Sequence, residues 1–300
     1  RWANPVWPKG SKSRGFSKRF PYFCRCKTQN ITDMTKHTFL TLMLLGFLLP
    51  MQAQIETITQ VIEPALLECR YKWVQKTDTL GTGIAVDTMV LRIGKNVSQS
   101  YPQSTFFGDS LVNTPNGGEL FSKLFDAALG DTTGTIPMPM SRIINEYHYK
   151  NYPKGKLTTW APRATVYQIE EDYEKQAWTL VDDSVKTVFG YKCQLATCTF
   201  RGRTYKAWYT TQLPYSEGPW KFNGLPGLIT EVYDTKNHYH FTLVSLKQNN
   251  VTPVCFYNIR SELQPEVEKI DRITFLKQRG EFLLDYNKQY DYMETDYHEH

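Results

Sequence analysis

The chain has 300 residues, 41% hydrophobic and 22% charged, and its 35 Lys and Arg outnumber 30 Asp and Glu for a formal charge of +5. These proportions exclude a disordered or collagen-like chain. Aromatic residues reach 14%, with 19 Tyr, 16 Phe and 7 Trp, a surplus that leans towards β-structure.

Met34 opens a stretch with Lys36 and His37, followed by the apolar run Phe39–Leu49 and then Pro50-Met51-Gln52-Ala53. A short basic region, a hydrophobic region and a small residue at a cleavage point make the pattern of a secretory signal. The run is shorter than the roughly 20 apolar residues a membrane span needs. It also lacks the polar face of a core helix. A signal peptide is therefore expected over 34–53, with cleavage near Ala53, a periplasmic or secreted product and no transmembrane span in the mature chain. Residues 1–33 read as a non-native upstream extension; a genuine N-terminal extension is the alternative. Nine of the 35 basic residues but only Asp33 among the 30 acids precede residue 54, leaving 26 basic against 29 acidic residues, a net −3. The basicity thus belongs to the leader, and nucleic acid is not an expected partner.

Beyond residue 54, alternation with a period of two dominates. Leu67, Cys69, Tyr71 and Trp73 alternate with Glu68, Arg70 and Lys72, and Met89, Leu91 and Ile93 repeat the pattern, each the mark of a strand with a buried face. Ala164–Glu170, Gln176–Leu180 and Val185–Phe189 are further short strands. Tyr191–Phe200 and Thr204–Gln212 form a hairpin across Arg201-Gly202-Arg203, and Leu228–Tyr233 and His238–Leu246 a second across Asp234–Asn237. Two helices are expected. One is Glu119–Leu129, with Leu120, Phe121, Leu124, Phe125, Ala128 and Leu129 on one face. The other is Pro265–Arg279, with Val267, Ile270 and Ile273 on a stripe and an i,i+4 pair of Glu268 with Arg272. Tyr101–Gly118 and Gly130–Ser141 read as irregular. The expected architecture of 54–300 is one mostly β domain: a single curved antiparallel sheet, half-barrel-like, with one or two packing helices.

Four cysteines follow residue 54: Cys69, Cys193, Cys198 and Cys255. An even count in an oxidising compartment permits two disulfides of open connectivity. Cys193 and Cys198, five apart on one strand, would stand roughly 16 Å apart and so should not pair with each other.

Gly224-Leu225-Pro226-Gly227-Leu228-Ile229 resembles the signature of the GLPGLI family, exported proteins of Gram-negative bacteria. Gly190-Tyr191-Lys192-Cys193-Gln194, Phe200-Arg201-Gly202-Arg203, Ala207-Trp208-Tyr209 and Gly218-Pro219-Trp220-Lys221-Phe222 resemble the family pattern in the family order. So do Asp87–Gly94 and Asn151-Tyr152-Pro153-Lys154-Gly155. The resemblance implies an envelope protein and carries no activity, cofactor or catalytic residue. Read physically, Gly224 and Gly227 allow a sharp turn where a Cβ would clash, and Leu228 and Ile229 start a buried strand. A turn that fixes strand register and a direct binding role are the two readings.

Several constellations could carry chemistry. His238 and His240 form an H-x-H pair on a strand, the weak candidates for a metal, with His298 and His300 a second pair near the end; a solvated polar face is the plainer reading. Arg201, Arg203, Lys206 and Lys221 make a positive cluster able to hold a carboxylate or phosphate, or simply a solvated hairpin tip. Ser216 lies outside any G-x-S-x-G context. On Thr204–Gln212, Tyr205, Ala207 and Tyr209 share one face, and Lys206 and Trp208 the other. Tyr205 and Tyr209 are expected to face a groove, because Tyr tolerates a wet edge better than Trp. Tyr205, Tyr209, Trp208, Arg203 and Trp220 are thus the candidate binding residues, against a plain aromatic core. The reading is a non-enzymatic binding or envelope-assembly factor for an apolar ligand, a peptide or an outer-membrane partner. A hydrolase of envelope or nutrient polymers and a metal-handling protein are the alternatives.

Overall fold

A computed structural model describes residues 59–76, 83–162, 166–257 and 267–281. The extension 1–33, the signal peptide expected over 34–53, and His298 and His300 lie outside these residues. Twelve strands form one curved, open sheet. Their spatial order is β14 (Val267–Ile270), β7 (Val166–Asp172), β6 (Lys156–Ala161), β5 (Tyr147–Lys150), β4 (Ser98–Pro102), β3 (Ile84–Gly94), β2 (Ala65–Lys76), β12 (Tyr239–Lys247), β11 (Leu228–Asp234), β10 (Arg203–Thr210), β9 (Tyr191–Phe200) and β8 (Thr179–Val188). Neighbours pair antiparallel except β14, which runs parallel to β7. A separate ribbon pairs β1 (Thr59–Glu63) with β13 (Val254–Tyr257). Among the described residues, three helices accompany them: α1 (Gln103–Val112), α2 (Gly117–Gly130) and α3, residues 272–281. No helix among the described residues is long and apolar enough to cross a membrane.

The hairpins follow from local chemistry. Phe189-Gly190 and Arg201-Gly202 both hold positive φ at both positions, as the two-residue turn matching strand twist requires. The second loop is therefore two residues, with Arg203 already in β10 opposite Phe200. At the β11–β12 turn, the Asp234 carboxylate accepts from the backbone N–H groups of His238 (2.6 Å) and Tyr239 (2.8 Å).

Three expectations are corrected. Tyr101–Gly118 contains α1, whose Ser, Thr, Gly and Asp content reads locally as a turn. The helix is held from outside: the Tyr147 hydroxyl donates to Asp109 at 2.5 Å, and the Thr105 hydroxyl to Asn145 at 2.8 Å. Over Pro265–Arg279, the described part begins with β14 and becomes helical at 272. Asp271 caps α3 by accepting from the N–H groups of Ile273 and Thr274. Glu268 thus lies on a strand, and Arg272 pairs with Glu171 at 3.0 Å instead. Among the described residues, Cys69, Cys193, Cys198 and Cys255 are buried free thiols. Four strand spacings of about 4.8 Å separate β2 from β9, so Cys69 stands too far from Cys193 or Cys198 for the ~7 Å a disulfide allows.

The sheet buries both faces. On one, Tyr101, Tyr147, Tyr149, Trp160 and Val166 pack under the ribbon with Cys255 and Phe256. On the other, Tyr71, Trp73, Leu91, Tyr205, Tyr209 and Phe241 pack against Phe222, Leu225, Leu228 and Ile229 from the segment 211–227 and the start of β11. Tyr205 and Tyr209 are 4% and 2% exposed, so they are core and not a groove surface. The physical reason is that segment 211–227 folds back over this face.

Candidate functional site

Directly opposed residues of neighbouring strands project to the same side. Ser100, His148, Thr159 and Ile169 stand opposite one another across β4, β5, β6 and β7, and Ser98, Lys150, Leu157 and Glu171 form the adjacent row. A strip of polar and charged side chains therefore lies on the sheet face that segment 211–227 covers. His148 and Lys150 are fully buried.

Lys150 anchors that segment. Its ammonium stands 2.6 Å from the Glu217 carboxylate and donates to the carbonyls of Gly218 and Phe222, both at 2.8 Å. Three acceptors match its three N–H groups. Burial pushes its pKa down, and Glu217 opposes this. The Ser100 hydroxyl adds a 2.9 Å bond to the Trp220 carbonyl. From the other side, segment 173–178 clamps the same turn: Trp178 Nε1 donates to the Asn223 carbonyl at 2.8 Å, and the Asn223 N–H donates to Gln176 at 2.7 Å.

Between these supports Trp220 takes φ 55°, a conformation that costs a large side chain about 1–3 kcal/mol. It sets the indole half-buried against Phe200 (6.0 Å between centroids), with the Arg201 guanidinium 5.0 Å above Phe200 and 5.9 Å from the indole. The His148 ring meets Trp220 edge-on at 6.3 Å. Lys221 is buried, its ammonium 5.8 Å from the centre of the Trp220 ring.

Glu171 gathers three cations. Arg201 reaches both its oxygens at 2.7 and 2.8 Å, Lys221 stands at 3.2 Å and Arg272 at 3.0 Å. Burial alone would raise its pKa; Lys221 and Arg201 more than reverse that, so it stays ionised. Burial, then Arg201, push the Lys221 ammonium down to about 8. Glu146 lies 3.7 Å from Arg279 and 3.8 Å from His148 Nε2. Burial and the cations Lys221, Arg201 and Lys150 hold His148 well below its ordinary pKa, so it is neutral. Its Nδ1 is 3.1 Å from the Thr159 hydroxyl, while its buried Nε2 has no hydrogen-bond partner. The Glu146 carboxylate favours the tautomer with a proton on Nε2. With Lys150 and Glu217 paired, Arg201, Lys221, Arg272 and Arg279 surround Glu171 and Glu146. The described residues of the cluster thus carry two positive charges in excess.

Of the five binding residues expected from sequence, Trp220 alone belongs to this cluster. Tyr205 and Tyr209 are core. Trp208 lies on the opposite face of β10, with the Lys186 ammonium 4.6 Å over its ring. Arg203 is pinned to Asp234 at 3.0 Å and lies over Tyr239. Of the positive residues singled out on the hairpin, Arg201 and Lys221 converge and Arg203 and Lys206 do not. The two histidines of the H-x-H pair belong to different networks: His238 Nδ1 is 3.1 Å from Arg203, and His240 Nε2 is 2.8 Å from Glu231. Among the described residues, no three His, Cys, Asp or Glu come together as a metal site. The thiols are held protonated, since burial pushes Cys69 and Cys198 up to about 12 and Cys193 and Cys255 upward.

In the GLPGLI hexapeptide, Leu225, Leu228 and Ile229 are buried and Pro226 is exposed. Gly224 has φ 97°, and a Cβ on Gly227 would stand 2.1 Å from the Thr210 carbonyl oxygen. The hexapeptide is a packed turn that positions β11 beside β10.

A family model described as a protein of unknown function (Porph_ging) matches residues 198–231, from β9 through the hexapeptide into β11. No curated protein matches. Two solved structures of PNGF-II are similar to this chain. The one in space group P21 has 11% identity and a TM-score of 0.43, the one in C2 has 12% and 0.44, and in both the similarity covers 70% of this chain. The chain spans 32% of the length of those structures.

Proposed function

We propose that this is an exported envelope protein of the GLPGLI type that acts as a non-enzymatic binding factor, and that its ligand is an amphiphile received at the Trp220 cluster. The observation that carries the reading is Trp220 itself: a large aromatic held half-buried at a strained φ of 55°, against Phe200 and beneath Arg201. Strain of this kind persists where the surroundings enforce it, and it concentrates at ligand sites. The non-enzymatic part rests on the state of the nucleophilic and titratable groups among the described residues. The buried thiols are protonated, and His148, His238 and His240 each engage a threonine, an arginine or a carboxylate. Glu171 and Glu231, held below the usual carboxylate range by their cations, are not poised as general acids, and Asp109, pushed up to about 6 by burial, is engaged by the Tyr147 hydroxyl that holds α1 to β5. The signal pattern of residues 34–53 supports export.

The test is a fluorescence titration with N-phenyl-1-naphthylamine, a neutral apolar probe. Saturable binding is expected. It should weaken at least about tenfold when Phe200 and Trp220 are both replaced by Ser, as loss of two aromatic contacts predicts. Unchanged binding in that variant would remove Trp220 from the site, and a peptide or outer-membrane partner engaging another surface would become the better reading.

A further inference from the structure

The proposal above leaves open which head group the amphiphile carries. Four observations bear on it. The cluster around Glu171 and Glu146 holds two positive charges in excess among the described residues. Uncompensated cations in a partly buried cluster attract a counter-charge, more strongly where water screens them less. His148 Nε2 is a buried ring nitrogen without a hydrogen-bond partner, on the side of Glu146 and Arg279, and it is a donor in the tautomer that the Glu146 carboxylate favours. Arg272 and Arg279, seven residues and so about two turns apart on one side of α3, are a third and a quarter exposed, so the cluster reaches the surface there. Phe200 and Trp220 form an apolar wall beside it.

We infer that the cluster formed by Arg201, Lys221, Arg272, Arg279 and His148 is a phosphate-binding site, taking the dianionic head group of an amphiphile whose apolar part lies against Trp220 and Phe200. Two excess charges match a phosphate monoester better than a carboxylate. Guanidinium groups suit its oxygens, and the His148 N–H supplies a neutral donor. The head group would compete with Glu171 and Glu146 for the same cations, so binding is reversible and sensitive to salt. The inference rests on the binding reading, and its test separates the two.

The test is isothermal titration calorimetry of the full chain at pH 7 and low ionic strength. The probes are inorganic phosphate, dihexanoyl phosphatidic acid, sodium acetate and sodium chloride. Phosphate is expected to bind more tightly than acetate, with chloride giving no saturable heat. Phosphatidic acid should bind more tightly than phosphate; no gain over phosphate would show that the site takes a free anion and would overturn the amphiphile part of the inference. Lys221→Gln removes one cation while leaving Glu171 with Arg201 and Arg272. It should weaken phosphate binding about tenfold, the loss expected of a charge-assisted hydrogen bond, while N-phenyl-1-naphthylamine still binds. Arg272→Gln, at a partly exposed position, is the second variant should Lys221→Gln fold poorly, with the same expected direction. Acetate binding as tightly as phosphate, or phosphate binding equally to wild type and variant, would overturn the inference. Retained binding of the neutral probe in that event would leave the binding reading standing, and loss of both would end it as well.

Discussion

Lys150→Met is expected to lower unfolding free energy by about 3–5 kcal/mol, the cost of breaking a buried ion pair by removing one partner. The sign comes from what is left behind. Glu217, mostly buried, loses its counter-ion, and the carbonyls of Gly218 and Phe222 lose their donor at once. Natural domains hold only about 5–15 kcal/mol in total, so the variant should be near the edge of folding. Urea unfolding followed by Trp fluorescence measures it. Lys156→Met is the control: Lys156 pairs with Asp172 in solvent at 2.7 Å, and exposed pairs contribute about 0–1 kcal/mol. Equal losses in the two variants would mean that Lys150 does not anchor segment 211–227.

Gly227→Ala is expected to destabilise by about 3 kcal/mol or more, at the upper end of overpacking costs. The added methyl would stand 2.1 Å from the Thr210 carbonyl oxygen and 3.0 Å from the Thr211 Cα. Both are backbone atoms, with no flexible side chain to give way. Relief would require β10 and β11 to separate where Thr210 faces Leu228. Leu225→Ala, which empties a position 1% exposed, should cost about 2–5 kcal/mol. Gly118→Ala provides the contrast, since its Cβ meets nothing within 4 Å. Thermal melts of the three variants check the ranking. A Gly227→Ala melt at the wild-type temperature would show that the hexapeptide is not a close-packed turn.

The strands that alternate cleanly were legible in the sequence, because period-two burial is a local signal. β2, β3 and both hairpins follow it, and α2 follows the equally local helical period. α1 and β14 were not, since their residues favour turns or helix locally and tertiary contacts decide otherwise. Tyr147-His148-Tyr149-Lys150 shows the limit for the site. Its alternation of aromatic and polar residues reads as one buried and one wet face. Here the face bearing His148 and Lys150 is buried as well, by residues about 70 positions later. No local pattern carries that information. The same fold-back reversed the expectation for Tyr205 and Tyr209: choosing the inner face of β10 required knowing which side segment 211–227 would cover. Arg201 and Lys221 were visible as positive residues, but their convergence on Glu171 depends on β7 lying across the sheet from the β9–β10 turn. The signal that could have pointed there is the Trp220-Lys221 pair within the Gly218–Phe222 motif, charged and aromatic residues set in a segment otherwise built for packing.

The central claim is that the Trp220 cluster holds a ligand. Native mass spectrometry of the protein purified from its native host tests it most directly. The account predicts a discrete, phosphate-containing adduct on the wild-type protein, lost or sharply depleted in Lys221→Gln prepared in the same way. A wild-type mass equal to that of the polypeptide alone, or an identical adduct on the variant, would contradict it.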